Sequence, residues 1–341
     1  MEYGELHRDA LVVDSHNDTI VAHVRRGHLS LNGGDSYADR HPGTIAFARS
    51  LEEPRSGASP MQIDYPLMRT GGIDTGFFAI DVTLARGSHL AYAMDGFGFL
   101  LHDRDQSGAE VTIIRRAADV LAAKEAGRPG LLLAIEHADG TERSLNVLRA
   151  LYEMGVRSIG LTHNVSSCAA DGNAEARDGV GLTHFGRALV EEMNRLGMLV
   201  DLAHVSPSAF FSALEISRRP VIFSHGNARA LCDHPRNLTD AQLRALADNG
   251  GVIGLSFVPF FVDSERPTLE RFLDHVDHVA QVAGVDTIGL GSDFDGGGTL
   301  LEDATHLPLV TRGLLERGYS EGDVRKILGE NTFRVLQDTI G

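Results

Sequence analysis

Leu11-Val12-Val13-Asp14-Ser15-His16-Asn17-Asp18 is the stretch that decides how the rest of the chain reads. An apolar, β-branched run closing on His-x-Asp predicts a buried parallel strand ending in two metal-type ligands, because strand side chains alternate faces and residues i and i+2 share one. His16 and Asp18 then point into one space. Taken alone, His-x-Asp is equally a buried hydrogen-bonded pair. What separates the two readings is repetition, since an apolar strand with a polar residue at its C-terminal end recurs along the chain.

Further strands are expected at 72–82, 131–136, 156–163, 198–204, 220–225, 251–257 and 287–293. Helical spacing falls between them. One helix at 113–126 stops at Gly127-Arg128-Pro129, and others are expected at 142–154, 185–196 and 269–283. Ser206-Pro207 reads as an N-cap with proline at N1, and Thr239 with Gln242 as a capping box. Two closing helices lie near Leu315 and Val335. Eight strands alternating with helices in 341 residues predict an α/β fold, a (β/α)8 TIM barrel, with an open doubly wound sheet as the other architecture. The chain reads as a single domain, 1–341, with a polar, glycine-containing βα insertion at about 23–70. In such a barrel the C-terminal strand ends form the active face, where Glu136, His163, His204, His225 and Asp293 fall.

Composition narrows the function. A hydrophobic content of 43% supports a large core, and a net charge of -16 argues against nucleic acid or an anionic membrane as partner. Cys168 and Cys232 lack metal-type spacing and read as buried free thiols. An acidic start without an apolar segment, and no run of membrane-spanning length, lead to the expectation of a soluble cytoplasmic protein.

His16, Asp18, Glu136, His204 and His225 sit at the ends of strands one, three, five and six. Imidazole nitrogens and carboxylate oxygens hold zinc in hydrolases, so five such groups at one mouth point to a metal pair. Two cations repel, and a bridging anion lowers that repulsion. Lys124 and Lys326, the only lysines, are not at strand ends, so a carbamylated lysine is excluded and Glu136 is the candidate bridge. Asp14 shares a face with His16 but lies deeper, as a supporting hydrogen-bond partner. His275 and His278 read as a solvated helix face, and the remaining histidines, His234 among them, as structural. Gly296-Gly297-Gly298 reads as a flexible loop rather than a phosphate cradle, since no Lys or Arg is near.

These residues resemble the membrane (renal-type) dipeptidases, zinc peptidases of the amidohydrolase superfamily, and within them a soluble bacterial-type member. The matching segments are Asp14-Ser15-His16-Asn17-Asp18, Leu161-Thr162-His163-Asn164, Asp201-Leu202-Ala203-His204-Val205-Ser206, Pro220-Val221-Ile222-Phe223-Ser224-His225, Arg236-Asn237-Leu238-Thr239-Asp240, Gly291-Ser292-Asp293-Phe294-Asp295-Gly296 and Gly329-Glu330-Asn331-Thr332-Phe333-Arg334-Val335. The resemblance implies a binuclear zinc dipeptidase, with His16 and Asp18 on one ion, His204 and His225 on the other, and Glu136 between them. It further implies Asp293 as proton shuttle, His163 on the oxyanion, and Arg236 on the substrate's terminal carboxylate. The substrate would be a dipeptide, L,L or L,D, and the resemblance allows a homodimer.

The chain also departs from that pattern. His137-Ala138-Asp139 follow Glu136 where the family commonly has glycines, and Phe257-Val258-Pro259-Phe260 lacks the tyrosine expected to line the pocket. The altered loop keeps a second reading open, an amidohydrolase for another small amide such as a lactam or N-acyl amino acid. A metal-containing binding protein without turnover is a remote third, and a phosphoesterase is disfavoured by the lack of basic residues at the mouth.

Overall fold

The computed structural model describes residues 2–21, 30–33, 61–85, 87–175 and 181–341. Most of the expected insertion at 23–70 lies outside them. Eight parallel strands form the barrel: β1 (Val13–Asn17), β2 (Thr75–Asp81), β3 (Gly130–Glu136), β4 (Val156–Gly160), β5 (Leu199–Asp201), β6 (Ile222–Gly226), β7 (Val252–Leu255) and β8 (Ile288–Leu290). The long seam between β2 and β3 runs from Thr75 opposite Gly130 to Asp81 opposite Glu136, and β1 closes on β8 at Asp14 opposite Leu290. This is the (β/α)8 barrel. A two-residue strand, Thr112–Ile113, pairs with the first residues of β3 below the point where β4 takes over.

The barrel strands are buried along their whole length. That is why they appear in the sequence as unbroken apolar runs rather than as alternating ones. Inside, Val13, Phe77, Leu132, Leu199, Ile222 and Val252 pack in one cluster with Val335 and Leu336 of the C-terminal helix Asn331–Ile340. Higher up the interior narrows and turns polar. Ser15 Oγ donates to the carbonyls of Ser224 (2.7 Å) and Leu290 (2.8 Å). A Cβ on Gly254 would lie 2.1 Å from the Ser224 oxygen and one on Gly291 1.9 Å from it, so this layer admits only serine and glycine. It forms the floor on which the strand-end side chains stand.

The caps behave as their sequences require. Ser206 accepts from the Ala209 amide with Pro207 at the start of Pro207–Ile216, Thr239 and Gln242 form a capping box, and Leu269–Ala283 has the expected bounds. The 19-residue helix His89–Ser107 is not foreshadowed by the sequence pattern. Gly96 and Gly98 lower its intrinsic propensity. Gly96 packs against Ile80 of β2, where an added Cβ would come within 2.7 Å of the terminal Cδ1.

The solvated reading of the helix face at His275 is overturned. His275 is fully buried rather than solvated: Nδ1 accepts from the Ala228 amide at 3.1 Å and Nε2 pairs with the Val262 carbonyl at 2.8 Å. Its acidic neighbours Asp274 and Asp277 face the other way, toward Arg317. His278 is partly buried and pairs with Asp240 at 2.8 Å. Cys168 and Cys232 are free and buried. Among the described residues, no helix is long and apolar enough to cross a membrane.

Replacing Gly291 by Ala puts a methyl into the Ser224 carbonyl. Overpacking of this kind is expected to cost about 1–3 kcal/mol, read as a lowered midpoint of denaturant unfolding with an unchanged slope.

Candidate metal centre

The five strand-end residues meet. His16 lies in β1 and Asp18 directly follows it, Glu136 ends β3, His204 follows β5 and His225 lies in β6. They line a cavity of about 280 Å³ together with His163, His234, Arg236, Phe261 and Asp293. His16 Nε2 lies 3.8 Å from Asp18 Oδ2, and Glu136 Oε1 lies 2.9 Å from His204 Nε2 and 3.8 Å from His225 Nε2. The Nε2 atoms of His204 and His225 are 2.9 Å apart. Three overlapping sets place their donor atoms within 4.8 Å of one another: His16 with Glu136 and His225, Glu136 with His163 and His204, and His16 with Asp18 and Asp293. Thus His163 and Asp293 approach as closely as the expected ligands. Lys124 is held by Asp74 and Lys326 by Asp286, both away from the cavity.

The donor chemistry fits cations. His204 Nδ1 faces the Asn164 amide oxygen at 2.9 Å, which assigns the ring proton to Nδ1 and leaves a lone pair on Nε2. That lone pair is aimed at the carboxylate of Glu136 and at the ring of His225, whose own Nδ1 pairs with Ser224 Oγ at 2.9 Å. Among the described residues, nothing hydrogen-bonds His16 Nε2, Asp18 Oδ1 or Glu136 Oε1. Buried polar atoms left without partners are costly, and a divalent cation would satisfy such a set of imidazole and carboxylate groups.

Electrostatics agree. Burial pushes Glu136 well above the usual carboxylate range, with Asp18, Asp81 and Asp293 adding to the shift. Burial raises Asp293 to about 7, with Asp18 contributing. Burial opposes charging of His16, yet Asp18, Glu136 and Asp293 outweigh it and draw the ring up to about 10. Burial drives His204 and His225 well below their ordinary value, helped by Arg236.

Supporting contacts fix the geometry. Asp14 does not touch the His16 ring; it takes the Ser292 amide (2.7 Å) and hydroxyl (2.8 Å), tying β1 to the turn that carries Asp293. Asp201 Oδ1 accepts from the amides of Ala203 (2.9 Å) and Ser224 (3.0 Å), joining the ends of β5 and β6. His204 (φ 68°), Asp293 (φ 57°) and His137 (φ 86°) hold left-handed backbone, which costs energy outside glycine and gathers at functional sites. The amides of Gly296, Gly297 and Gly298 all donate to the Asp293 carbonyl, so this turn offers no phosphate cradle, and it is packed rather than an open loop. A Cβ on Gly296 would lie 1.9 Å from Asp18 Oδ2 and 2.3 Å from Asp293 Oδ1.

His234 lines the cavity rather than serving the scaffold alone, with its ring centroid 4.8 Å from that of Phe261. Its nearness in sequence to Arg236 was the available signal. Asn164 acts through His204, and its position directly after His163 was the corresponding hint. Arg236 is buried with Nη2 donating to the His225 carbonyl at 3.1 Å, while Nε and Nη1 have no partner among the described residues. In the altered loop, His137 is buried against Asp139, which accepts from the Cys168 amide at 2.8 Å.

A family model described as membrane dipeptidase, peptidase family M19, matches residues 1–340. The chain belongs to this family. It is 42% identical over 229 residues to dipeptidase tcpJ of Claviceps purpurea (strain 20.1), a match covering 65% of this chain and 54% of that protein. It is 39% identical over 228 residues to dipeptidase verJ of Clonostachys rogersoniana, covering 66% and 59%. The chain thus spans somewhat over half the length of these two relatives. Among solved structures, it superposes with a TM-score of 0.81 at 27% identity on a metallopeptidase from Rhodobacter sphaeroides liganded with a phosphinate mimic of L-Ala-D-Ala, covering 97% of this chain and 100% of that one. A solved M19 dipeptidase gives 0.82 at 28% identity, covering 97% and 99%.

Two outcomes are expected of the centre. Chelation should lower the melting temperature by several degrees and readded zinc should restore it, because an ion bound only by the folded chain stabilises it. Gly296→Ala should remain folded by circular dichroism yet bind less metal by elemental analysis, because its methyl displaces Asp18.

Proposed function

We propose that this protein is a binuclear zinc dipeptidase acting on dipeptides with a free C-terminal carboxylate. The observation that carries the reading is the meeting of His16 Nε2, Asp18 Oδ1 and Glu136 Oε1, buried without a hydrogen-bond partner among the described residues, beside a buried guanidinium whose Nε and Nη1 are also unpartnered among them. His16 and Asp18 would hold one ion, His204 and His225 the other, and Glu136 would bridge the pair. Zinc bound there supplies a water of lowered pKa and polarises a carbonyl.

The chain's own residues supply the rest. Asp293, its amide bonded to the His16 carbonyl at 3.0 Å, faces the same space as His16 and Asp18. It would take the proton of the attacking water and return it to the leaving amine, as general base and then acid. His163 stacks on His204 with centroids 4.2 Å apart, and burial keeps its ring below the ordinary histidine value. A neutral ring N–H there would donate to the oxygen that gains charge. Arg236 lies between the rings of Phe223 and Phe261, at 5.8 and 5.3 Å from their centroids, and would receive the substrate carboxylate on its free fork. The ligand of the Rhodobacter protein motivates including D-residues at the C-terminal position.

The test is amino-acid release from L,L and L,D dipeptides by zinc-loaded protein. Turnover abolished by chelator is expected; full zinc occupancy without turnover would move the assignment to another small amide, with the His137–Asp139 loop as the place to look. Asp293→Asn should retain two zinc ions per chain but lose nearly all turnover, and an unchanged rate would remove the proton-shuttle role. Arg236→Ala should weaken kcat/KM for dipeptides by about tenfold to hundredfold relative to carboxylate-free dipeptide amides, the scale of one hydrogen bond to a charged group.

A further inference from the structure

His234 stands beside Arg236 on a loop built to hold both. The Asn237 amide side chain donates to the carbonyls of Cys232 (2.9 Å) and Phe261 (2.8 Å), and its oxygen accepts from the Asn227 amide at 2.9 Å. This buried network fixes the turn from 232 to 237 against the segment that carries Phe261. His234 and Arg236 then share one aromatic partner, with the Phe261 centroid 4.8 Å from the histidine ring and 5.3 Å from the guanidinium carbon.

The tautomer follows from one contact. The Arg236 amide donates to His234 Nδ1 at 3.2 Å, so Nδ1 is an acceptor and the proton of the neutral ring sits on Nε2. Burial, with Arg236 and Arg229 nearby, holds the ring below its ordinary pKa and keeps this neutral form. Nδ1 is the ring atom hydrogen-bonded among the described residues, which leaves Nε2–H as a donor on a side chain that lines the cavity. A carboxylate seated on the Nε and Nη1 atoms of Arg236 retains further lone pairs, which a second donor beside Arg236 can take.

We propose that His234 is a substrate-binding residue that shares the C-terminal carboxylate with Arg236, donating to it from Nε2. Arg236 supplies the charge and one face of hydrogen bonds, and His234 supplies a neutral donor from the side. The inference rests on the dipeptidase reading and extends it to a residue outside the metal and proton machinery.

The test compares zinc-loaded wild type, His234→Phe and His234→Gln on dipeptides and on the matching dipeptide amides. Phenylalanine keeps the ring contact with Phe261 and removes the donor; glutamine restores an N–H near the Nε2 position. His234→Phe is expected to lower the dipeptide-to-amide ratio of kcat/KM at least tenfold, with the loss in KM rather than kcat, and His234→Gln to recover most of it. An unchanged ratio in His234→Phe, or a loss that falls equally on the amides, would overturn the proposal. If the wild type releases no amino acid from any dipeptide, the dipeptidase reading fails separately. Calorimetric affinity for the phosphinate mimic of L-Ala-D-Ala then still decides the role of His234: tenfold weaker binding by His234→Phe supports it, and equal binding overturns it.

Discussion

The site depends on how closely buried polar atoms are brought together. Glu136 Oε1 lies 2.9 Å from His204 Nε2 and 3.8 Å from His225 Nε2, and has no hydrogen-bond partner among the described residues. Burial of a polar atom without a partner is costly, and a cation at the centre would offset that cost. Everything around it serves to keep the acceptors facing inward: Asn164 and Ser224 orient two of the rings, Asp201 joins the ends of β5 and β6, and the left-handed backbone at His204 turns its ring back over the barrel.

The same economy of space shapes the chain below and beside the site. Ser15, Gly254 and Gly291 leave the barrel too narrow for larger side chains just beneath the strand-end residues, so those side chains have no room to sink. Gly296 allows backbone to run against Asp18 and Asp293 at distances that no other residue permits. Glycine here acts by absence of volume, and its cost in chain entropy is offset by a pocket whose walls are held at van der Waals contact.

Much of this was legible in the sequence because it rests on short-range rules. Strand ends follow from apolar runs, and ligand types from the chemistry of histidine and carboxylate. The caps at Ser206 and Thr239 follow from hydrogen bonding within one turn. What escaped depends on contacts between distant segments. His275 looks solvated from its acidic neighbours, and only the loop at Ala228 and the carbonyl of Val262 bury it. His234 looks structural until Phe261 is seen beside it, and the helix His89–Ser107 is hidden by the two glycines, Gly96 and Gly98, within it. The turn at Gly296 to Gly298 is the same kind of case, since its amides are claimed by a carbonyl that periodicity does not reveal.

The Asp14 to Ser292 contact joins the first strand of the barrel to the turn after the last. His16 and Asp18 emerge early during synthesis, whereas Asp293 and the glycine turn that packs on Asp18 emerge near the end. A ribosome-bound chain therefore carries His16 and Asp18 for most of its translation without the wall that encloses them. The finished cavity exists only once β8 has joined β1 and the turn after β8 has packed on Asp18.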